Sequence, residues 1–173
     1  MSRLSIRLEE SVAILFVLTI TVVAATTTTI NNALPPAQST AVACTFSVLR
    51  TRTGYRLIAH YLSIPRGSDP QRTALNYLAR PGGPLPRGTT LQSLSLDSRG
   101  VLTLRFSSEL GTFSGGSTRE GLALAALSAT VARFPGAKSF RLIAGGKPLR
   151  TLGGHADLTE PYPASTVLPA EFR

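Results

Sequence analysis

The chain has 173 residues, of which 43% are hydrophobic and 16% charged, a composition that excludes an acidic disordered tail and a coiled coil. Its 12 Pro and 15 Gly follow no Gly-X-Y period, which excludes a collagen-like rod. Eighteen basic against nine acidic residues give a net charge of +9, which favours anionic partners, and the single cysteine leaves no internal disulfide framework.

The N-terminal segment is the most apolar part of the chain. Arg3 and Arg7 precede an apolar run over residues 12–30, which ends in a row of threonines. As a helix this run is about 29 Å long at about 1.5 Å per residue, close to the thickness of a bilayer core. Small residues at 23–25 also allow cleavage of a secretory signal. Residues 1–30 are therefore predicted to be a signal anchor or a signal peptide, and both place the rest of the chain outside the cytoplasm.

A linker is predicted over residues 31–40, which contain two prolines, no charge and no hydrophobic period. It leads to Cys44. Residues 41–44 loosely resemble a lipobox, but the usual leucine is missing and the apolar run ends well before this point. We therefore favour a buried strand cysteine over a site of lipid attachment.

The globular pattern begins with two strands and a helix. Residues 55–64 predict a strand that Pro65 ends, and Asp69 followed by Pro70 predicts the start of a helix that continues to about residue 80. The first strand, residues 41–50, precedes both and places four side chains on one face: Val42, Cys44, Phe46 and Val48.

Two short strands follow, over residues 91–97 and 101–107, with a glycine-containing turn at 98–100 between them. The second of these strands alternates apolar and polar side chains. Its apolar side chains are expected to face the core, so that Thr103 and Arg105 face outward.

A longer, alanine-rich helix comes next. Ser117 with Glu120 three residues later predicts a capping box at its start, and an apolar stripe continues to Phe134. Residues 139–144 predict a last core strand, and residues 149–152 predict a short edge strand.

The order β-β-α-β-β-α-β predicts an α+β fold with one mixed or antiparallel sheet and both helices on one face. The domain is expected to span residues 41–163, and residues 164–173 are expected to be a C-terminal tail. The N-terminal membrane or signal helix lies outside this domain.

Several segments in this order carry a resemblance to a known family. They are residues 68–78, 86–89, 113–124 and 134–148, followed by the most specific piece, LGGHADLTEP at residues 152–161. Together they resemble the GerMN domain, the module named from a bacterial spore-germination protein, over residues 42–162. The resemblance implies an extracytoplasmic domain, usually membrane-anchored or lipid-anchored, similar to the ring-building modules of secretion and sporulation assemblies. It implies no established catalytic activity.

Two short motifs could carry chemistry, and neither does so convincingly. His155, Asp157 and Glu160 have a spacing that metal ligands can take, but no second histidine stands nearby, so a structural turn is preferred. Residues 111–118 look like a phosphate-binding loop, yet Ser117 occupies the lysine position. We predict no catalytic residue, no metal site and no cofactor.

The arginines suggest a binding surface. Arg56, Arg105 and Arg141 each fall in a predicted strand. If they share the helix-free face of the sheet, that face is basic and suits an anionic wall polymer or an acidic protein surface. The simpler interpretation is three solvated side chains. Nucleic acid is not expected, because no aromatic residues interleave with the charge and the domain is predicted to be exported.

Together these features predict a non-enzymatic extracytoplasmic envelope module, anchored in the membrane by its N-terminal helix, that mediates protein–protein contacts or self-association. The alternative is a factor that binds or processes cell-wall glycan. A processing enzyme would need two carboxylates about 5–9 Å apart across a cleft, and the sequence supplies no convincing pair.

Overall fold

A computed structural model describes residues 41–173, so the predictions for residues 1–30 and 31–40 lie outside the described part of the chain. Within that part no helix is long and apolar enough to cross a membrane. The elements in chain order are β1 (Ala41–Arg50), β2 (Tyr55–Ile64), α1 (Pro70–Leu78), β3 (Leu91–Leu96), β4 (Val101–Phe106), a 3-10 helix (Ser108–Thr112), α2 (Gly116–Val131), β5 (Ser139–Ala144), β6 (Lys147–Pro148), β7 (Tyr162–Pro163) and a second 3-10 helix (Ala170–Phe172).

The α+β class and the order of the main elements are confirmed, but the single sheet is wrong. The strands β1 and β2 pair only with each other, and a separate five-stranded sheet has the order β3-β4-β5-β6, with β7 also on β5. The hairpin is held against α2 instead. The Thr45 and Thr130 hydroxyls hydrogen-bond at 3.2 Å, and the Phe46 N–H donates to Thr130 Oγ1 at 3.1 Å.

The predicted edge strand at residues 149–152 is also wrong. The chain reverses at Gly145 and Gly146, which both have positive φ. Because this turn is only two residues long, the residues directly after it pair with the end of β5. Lys147 therefore pairs with Ala144, and Pro148 with Ile143.

The five-stranded sheet has one buried and one open face. The strands β4 and β5 run parallel, joined by the crossover helix α2, and β3 runs antiparallel to β4. Alternate side chains of β4 and β5 are buried in the core: Leu102, Leu104, Phe106, Phe140, Leu142 and Ala144. Both helices, α1 and α2, lie on this buried side, as predicted. The opposite face of the sheet is exposed to solvent.

The helix α2 is enclosed by its neighbours. Residues 123–131 are buried without interruption, as expected for a helix that is packed on all sides. It contacts β5 of the large sheet, β1 of the hairpin and α1. Its many alanines leave room for this close approach, so the hairpin completes the core that the large sheet begins.

The predicted capping box at the start of α2 is wrong. The N-cap is Gly115, no side chain caps the helix, and Ser117 is exposed within the first turn. Gly115 and Gly116 have φ values of 134° and 76°, a reversal that favours glycine and begins the helix before Ser117. Glu120 is consequently free for another role and is completely buried.

Cys44 lies in β1 opposite Tyr61, as the strand pattern predicts. Its side chain is only half-buried and forms no disulfide.

Candidate partner-binding site

The open face of the large sheet brings two of the three predicted arginines together. Arg105 of β4 lies opposite Ile143 of β5, and Arg141 of β5 lies opposite Thr103 of β4. The two arginines are therefore diagonal neighbours on one face, with Cα atoms about 8 Å apart from the usual strand spacing and rise. Both side chains are exposed.

The arginines line a groove of about 420 Å³. Strand β6 and the loop after it form the second wall of the groove, which contributes Pro148, Leu149, Arg150 and Thr159. We call this region the arginine groove and define it by these residues with Thr103, Arg105, Arg141 and Ile143. It combines three guanidinium groups with threonine hydroxyls and apolar surface.

Two carboxylates, Glu160 and Asp157, lie beside the groove and interact only weakly with its arginines. Arg141 approaches Glu160 at 3.9 Å, but both side chains are solvent-exposed, so this pair is weak. The pKa of Asp157 lies below its ordinary value, chiefly because Thr159 donates hydrogen bonds to it from its hydroxyl and its N–H, with a smaller effect of the Arg150 charge.

The third predicted arginine is elsewhere. Arg56 lies in β2, opposite Leu49, and so belongs to the hairpin and not to the large sheet. The assumption that all three arginines share one face of one sheet is therefore wrong, because the chain builds two sheets. The partner-binding role of the arginines stays a prediction. Arg150 also joins the groove but is not among the predicted binding residues, because only the turn at Gly145 and Gly146 folds it back beside β5.

Among residues 41–173, the side chain that accepts the most hydrogen bonds is Glu120, which the sequence pattern places in a helix cap. The carboxylate of Glu120 accepts hydrogen bonds from the Thr151 hydroxyl at 2.9 Å and from the N–H groups of Leu152 at 3.0 Å, His155 at 2.9 Å and Ala156 at 3.2 Å. We call residues 151–156 the Glu120 loop. This carboxylate fixes the GGHAD segment to the first turns of α2.

These hydrogen bonds also decide the charge of Glu120. Burial alone raises the pKa of a carboxyl group, but the donors of the loop stabilise the ionised form. Backbone N–H groups of Gly153, Ala156 and His155 and the Thr151 hydroxyl bring the pKa of Glu120 below its ordinary value. Glu120 is therefore a buried anion at neutral pH, fully occupied by its own loop.

The residues considered as metal ligands are spread through this loop and beyond it. His155 uses its N–H to bind Glu120, and Asp157 accepts from Thr159. Among residues 41–173 no three His, Cys, Asp or Glu side chains converge as a metal-binding group would require. The hydrogen bonds to Glu120 hold this loop as a structural turn.

The comparisons with known proteins agree with this fold. Residues 48–150, more than half of the chain, match the family model Germane, described as sporulation and spore germination. The chain belongs to this family, and the resemblance drawn from its motifs is confirmed. No curated protein matches the chain.

Two solved structures share the fold. The tandem GerMN domains of the sporulation protein GerM from Bacillus subtilis are 18% identical, with a TM-score of 0.62, over 79% of this chain and 50% of that chain. The first GerMN domain of the same protein is 18% identical, with a TM-score of 0.56, over 72% of this chain and 97% of that one. The chain thus spans half the length of the tandem structure and corresponds in size to one domain.

Proposed function

We propose that this chain is an extracytoplasmic module of the sporulation and germination type that acts by binding, and that it holds an acidic protein partner in the arginine groove. The family match and the fold support the sporulation-related class. The apolar run at residues 12–30 supports export and anchoring at the cell envelope. Self-association through the same groove belongs to this proposal as one form of the protein partner.

The arginine groove is the observation that carries the proposal. It lies on the sheet face that no helix covers, and its lining mixes Arg105, Arg141 and Arg150 with Ile143 and Leu149. Arginine beside apolar surface is characteristic of protein interfaces, because guanidinium groups fork onto carboxylates while their stems cover apolar atoms.

Binding explains the described groups better than catalysis does. Ser47 Oγ and His60 Nε2 lie 2.7 Å apart, the distance expected for a nucleophile and its base. The His60 ring packs against Tyr77, and within residues 41–173 no carboxylate hydrogen-bonds it to orient the imidazole. The buried carboxylate of Glu120 is held by four donors of its own loop and offers no free base.

A position-specific crosslinking experiment tests the groove. A photo-crosslinking residue is placed at Thr103 inside the groove or at the exposed Ser63 on β2 of the separate hairpin, in cells that express the full chain. We expect a crosslinked protein at position 103 that is absent at position 63. The crosslink should disappear when Arg105 and Arg141 are changed to serine and should persist when Arg87 and Arg99, also exposed, are changed to serine. Equal crosslinking at both positions would contradict the proposal.

A wall-binding assay separates the alternative function. Anionic wall polymer would also suit arginines, so the purified full chain is pulled down on isolated wall sacculi while its self-association is measured by sedimentation velocity. Sacculus binding that depends on Arg105 and Arg141, without a protein crosslink, would favour the glycan-binding interpretation.

A further inference from the structure

The two strands of the first hairpin and the turn between them carry arginines and no acidic side chain, and the backbone of Arg173 packs against Gly54 of this turn. Between residues 41 and 64 the chain contains Arg50, Arg52 and Arg56 and no Asp or Glu. All three arginines are exposed, and within residues 41–173 none of them forms an ion pair. This distinguishes them from Arg141 of the arginine groove, which faces Glu160.

Exposed apolar side chains share one face of the ribbon with Arg56, while Arg50 lies on the other face opposite Tyr55 and Arg52 lies in the turn. Leu49, which pairs with Arg56 across the hairpin, is 56% exposed, and Ile58 on the same face is 37% exposed. At the other end of the hairpin this face is buried at Ala43 and Thr45. The strong twist of a two-stranded ribbon explains the change, because it turns the same face from the core to solvent along the strands.

The turn end is held in a fixed orientation. The Thr51 N–H and hydroxyl both donate to the Gly54 carbonyl, at 2.8 and 3.1 Å. Tyr55 packs edge-on against Phe172 of the C-terminal 3-10 helix, with ring centroids 6.0 Å apart. Because the backbone of the turn is already ordered, binding a surface costs less conformational entropy than it would for a flexible loop.

We propose that this turn end, residues 49–58, docks on an anionic phospholipid surface. Arginine binds phosphate through two parallel hydrogen bonds, and each basic residue near an anionic membrane strengthens binding about fivefold. Leu49 and Ile58 stand where short apolar side chains would reach the boundary between headgroups and acyl chains. The surface is separate from the arginine groove and does not depend on a partner there.

Charge complementarity favours lipid over an acidic protein at this position. Three exposed arginines with no carboxylate between them bind best to a partner with many closely spaced negative charges. An anionic phospholipid surface presents such charges across its whole area. The arginine groove is concave and lined partly by threonines, and its lining does not include Leu49, Arg52 or Arg56. The turn end therefore fits a broad surface better than an inserted peptide.

The test places a reporter at Leu49. The full chain with Cys44→Ser and Leu49→Cys is labelled with an environment-sensitive fluorophore and mixed with vesicles of phosphatidylcholine, with or without phosphatidylglycerol. The fluorophore should shift to the blue only with phosphatidylglycerol, and about 0.5 M salt, which shortens the Debye length from about 8 Å to about 4 Å, should abolish the shift. The matched control is Cys44→Ser with Leu96→Cys, because Leu96 is 45% exposed on β3 and should give no shift.

Two charge-matched variants locate the effect. Serine at positions 50, 52 and 56 should weaken docking of the turn end on phosphatidylglycerol vesicles, followed by the fluorophore at Leu49, about 100-fold, at about fivefold per arginine. Serine at positions 105, 141 and 150 removes the same charge from the arginine groove and should change binding by less than about threefold. Circular dichroism confirms the fold of each variant.

Three results would overturn the proposal. They are a shift of the same size with phosphatidylcholine alone, a shift of the same size at position 96, and equal weakening by both triple variants. Insertion of residues 12–30 alone would bring the chain to both kinds of vesicle and so gives the first result. Loss of the groove crosslink with the lipid signal retained would refute the proposed function and leave this inference standing.

Discussion

The Glu120 loop and the arginine groove lie on neighbouring parts of the chain and use their polar groups in opposite ways. In the loop, one buried carboxylate receives four hydrogen bonds from residues 151–156. In the groove, three arginines point to solvent beside weakly paired carboxylates. A polar group whose bonds are all made inside the protein stabilises the fold, and one that is left exposed is available to a partner. The segment with the most motif-like sequence is therefore structural, while the plainer strand residues form the candidate site.

Removal of the Glu120 carboxylate should give the largest effect. We expect Glu120→Ala to lower the free energy of unfolding by about 3 kcal/mol or more, because it leaves the buried Leu152 N–H and three part-buried donors without an acceptor, and a buried unpaired donor costs about 1–3 kcal/mol. Urea unfolding measures the change. The control is Glu120→Gln, which keeps one acceptor oxygen. Its free energy of unfolding should lie between those of the wild-type chain and Glu120→Ala. A loss below about 1 kcal/mol would mean that the loop is not held by this side chain.

Acid should have a related but smaller effect through the same group. The folded pKa of Glu120 lies below the unfolded value of about 4.3, so its ionisation stabilises the fold fully above that value. This stability is lost as the pH falls through the lower folded pKa. Unfolding measured between pH 7 and pH 2, about the full range of carboxyl titration, should therefore show a shallower acid decline in Glu120→Gln.

Glu120→Gln should still lose some stability as the pH falls. The pKa values of Asp97, Glu109 and Asp157 are also lowered in the folded chain by local hydrogen bonds, and these groups remain. An unchanged acid decline would show that they, and not Glu120, account for the acid sensitivity.

Much of the fold follows from local sequence, and this explains which predictions are confirmed. The strands β1 and β2 and the helix α1 start where alternation or the Asp69–Pro70 pair predicts, and Asp69 accepts from the N–H groups of Gln71 and Arg72. Each of these signals lies within a few residues of the element it defines.

The features that sequence could not supply depend on distant contacts. Glu120 lies three residues after Ser117, as a capping box requires, but its partners are more than thirty residues away. The separation of the hairpin from the large sheet likewise depends on Thr45 and Thr130, which are 85 residues apart. Arg150 reaches the groove only because the tight turn at Gly145 and Gly146 folds the chain back along β5.

Packing within the loop can be tested without changing a charge. A Cβ atom at Gly153 would stand 2.9 Å from Phe113 Cδ1 and 3.1 Å from Glu120 Oε2, so Gly153→Ala must displace one of them. We expect a loss of about 1–3 kcal/mol in urea unfolding. Gly111→Ala is the control, because its Cβ would meet only Ala144 Cβ at 4.0 Å and should cost about 0.5 kcal/mol or less. Equal costs at both positions would argue against tight packing of the loop.

The arginine groove should show the reverse behaviour. Arg105→Ser with Arg141→Ser should change the free energy of unfolding by no more than about 0.5 kcal/mol, since both side chains are exposed and the one ion pair is weak. The same double variant should weaken partner binding by about tenfold, equivalent to about 1.4 kcal/mol, and added salt should mimic the loss. Thermal melts and the crosslinking yield at Thr103 are the two measurements. A large loss of stability would make these arginines structural and remove the contrast with the loop.

The smallest effect is expected at Ser117, although its sequence context is that of a capping residue. A serine that caps a helix contributes about 0.5–2 kcal/mol, because its oxygen accepts a backbone N–H of the first turn. Here Gly115 is the N-cap, no side chain caps α2, and Glu120 has its acceptors engaged by residues 151–156. Ser117→Ala should therefore change the free energy of unfolding by less than about 0.5 kcal/mol in urea unfolding. Asp69→Ala is the comparison, because Asp69 caps α1 by accepting hydrogen bonds from the N–H groups of Gln71 and Arg72, and its loss should cost about 0.5–2 kcal/mol. A loss at Ser117 as large as that of a true cap would mean that the glycine pair does not begin the helix, and that Glu120 is shared between the cap and the loop.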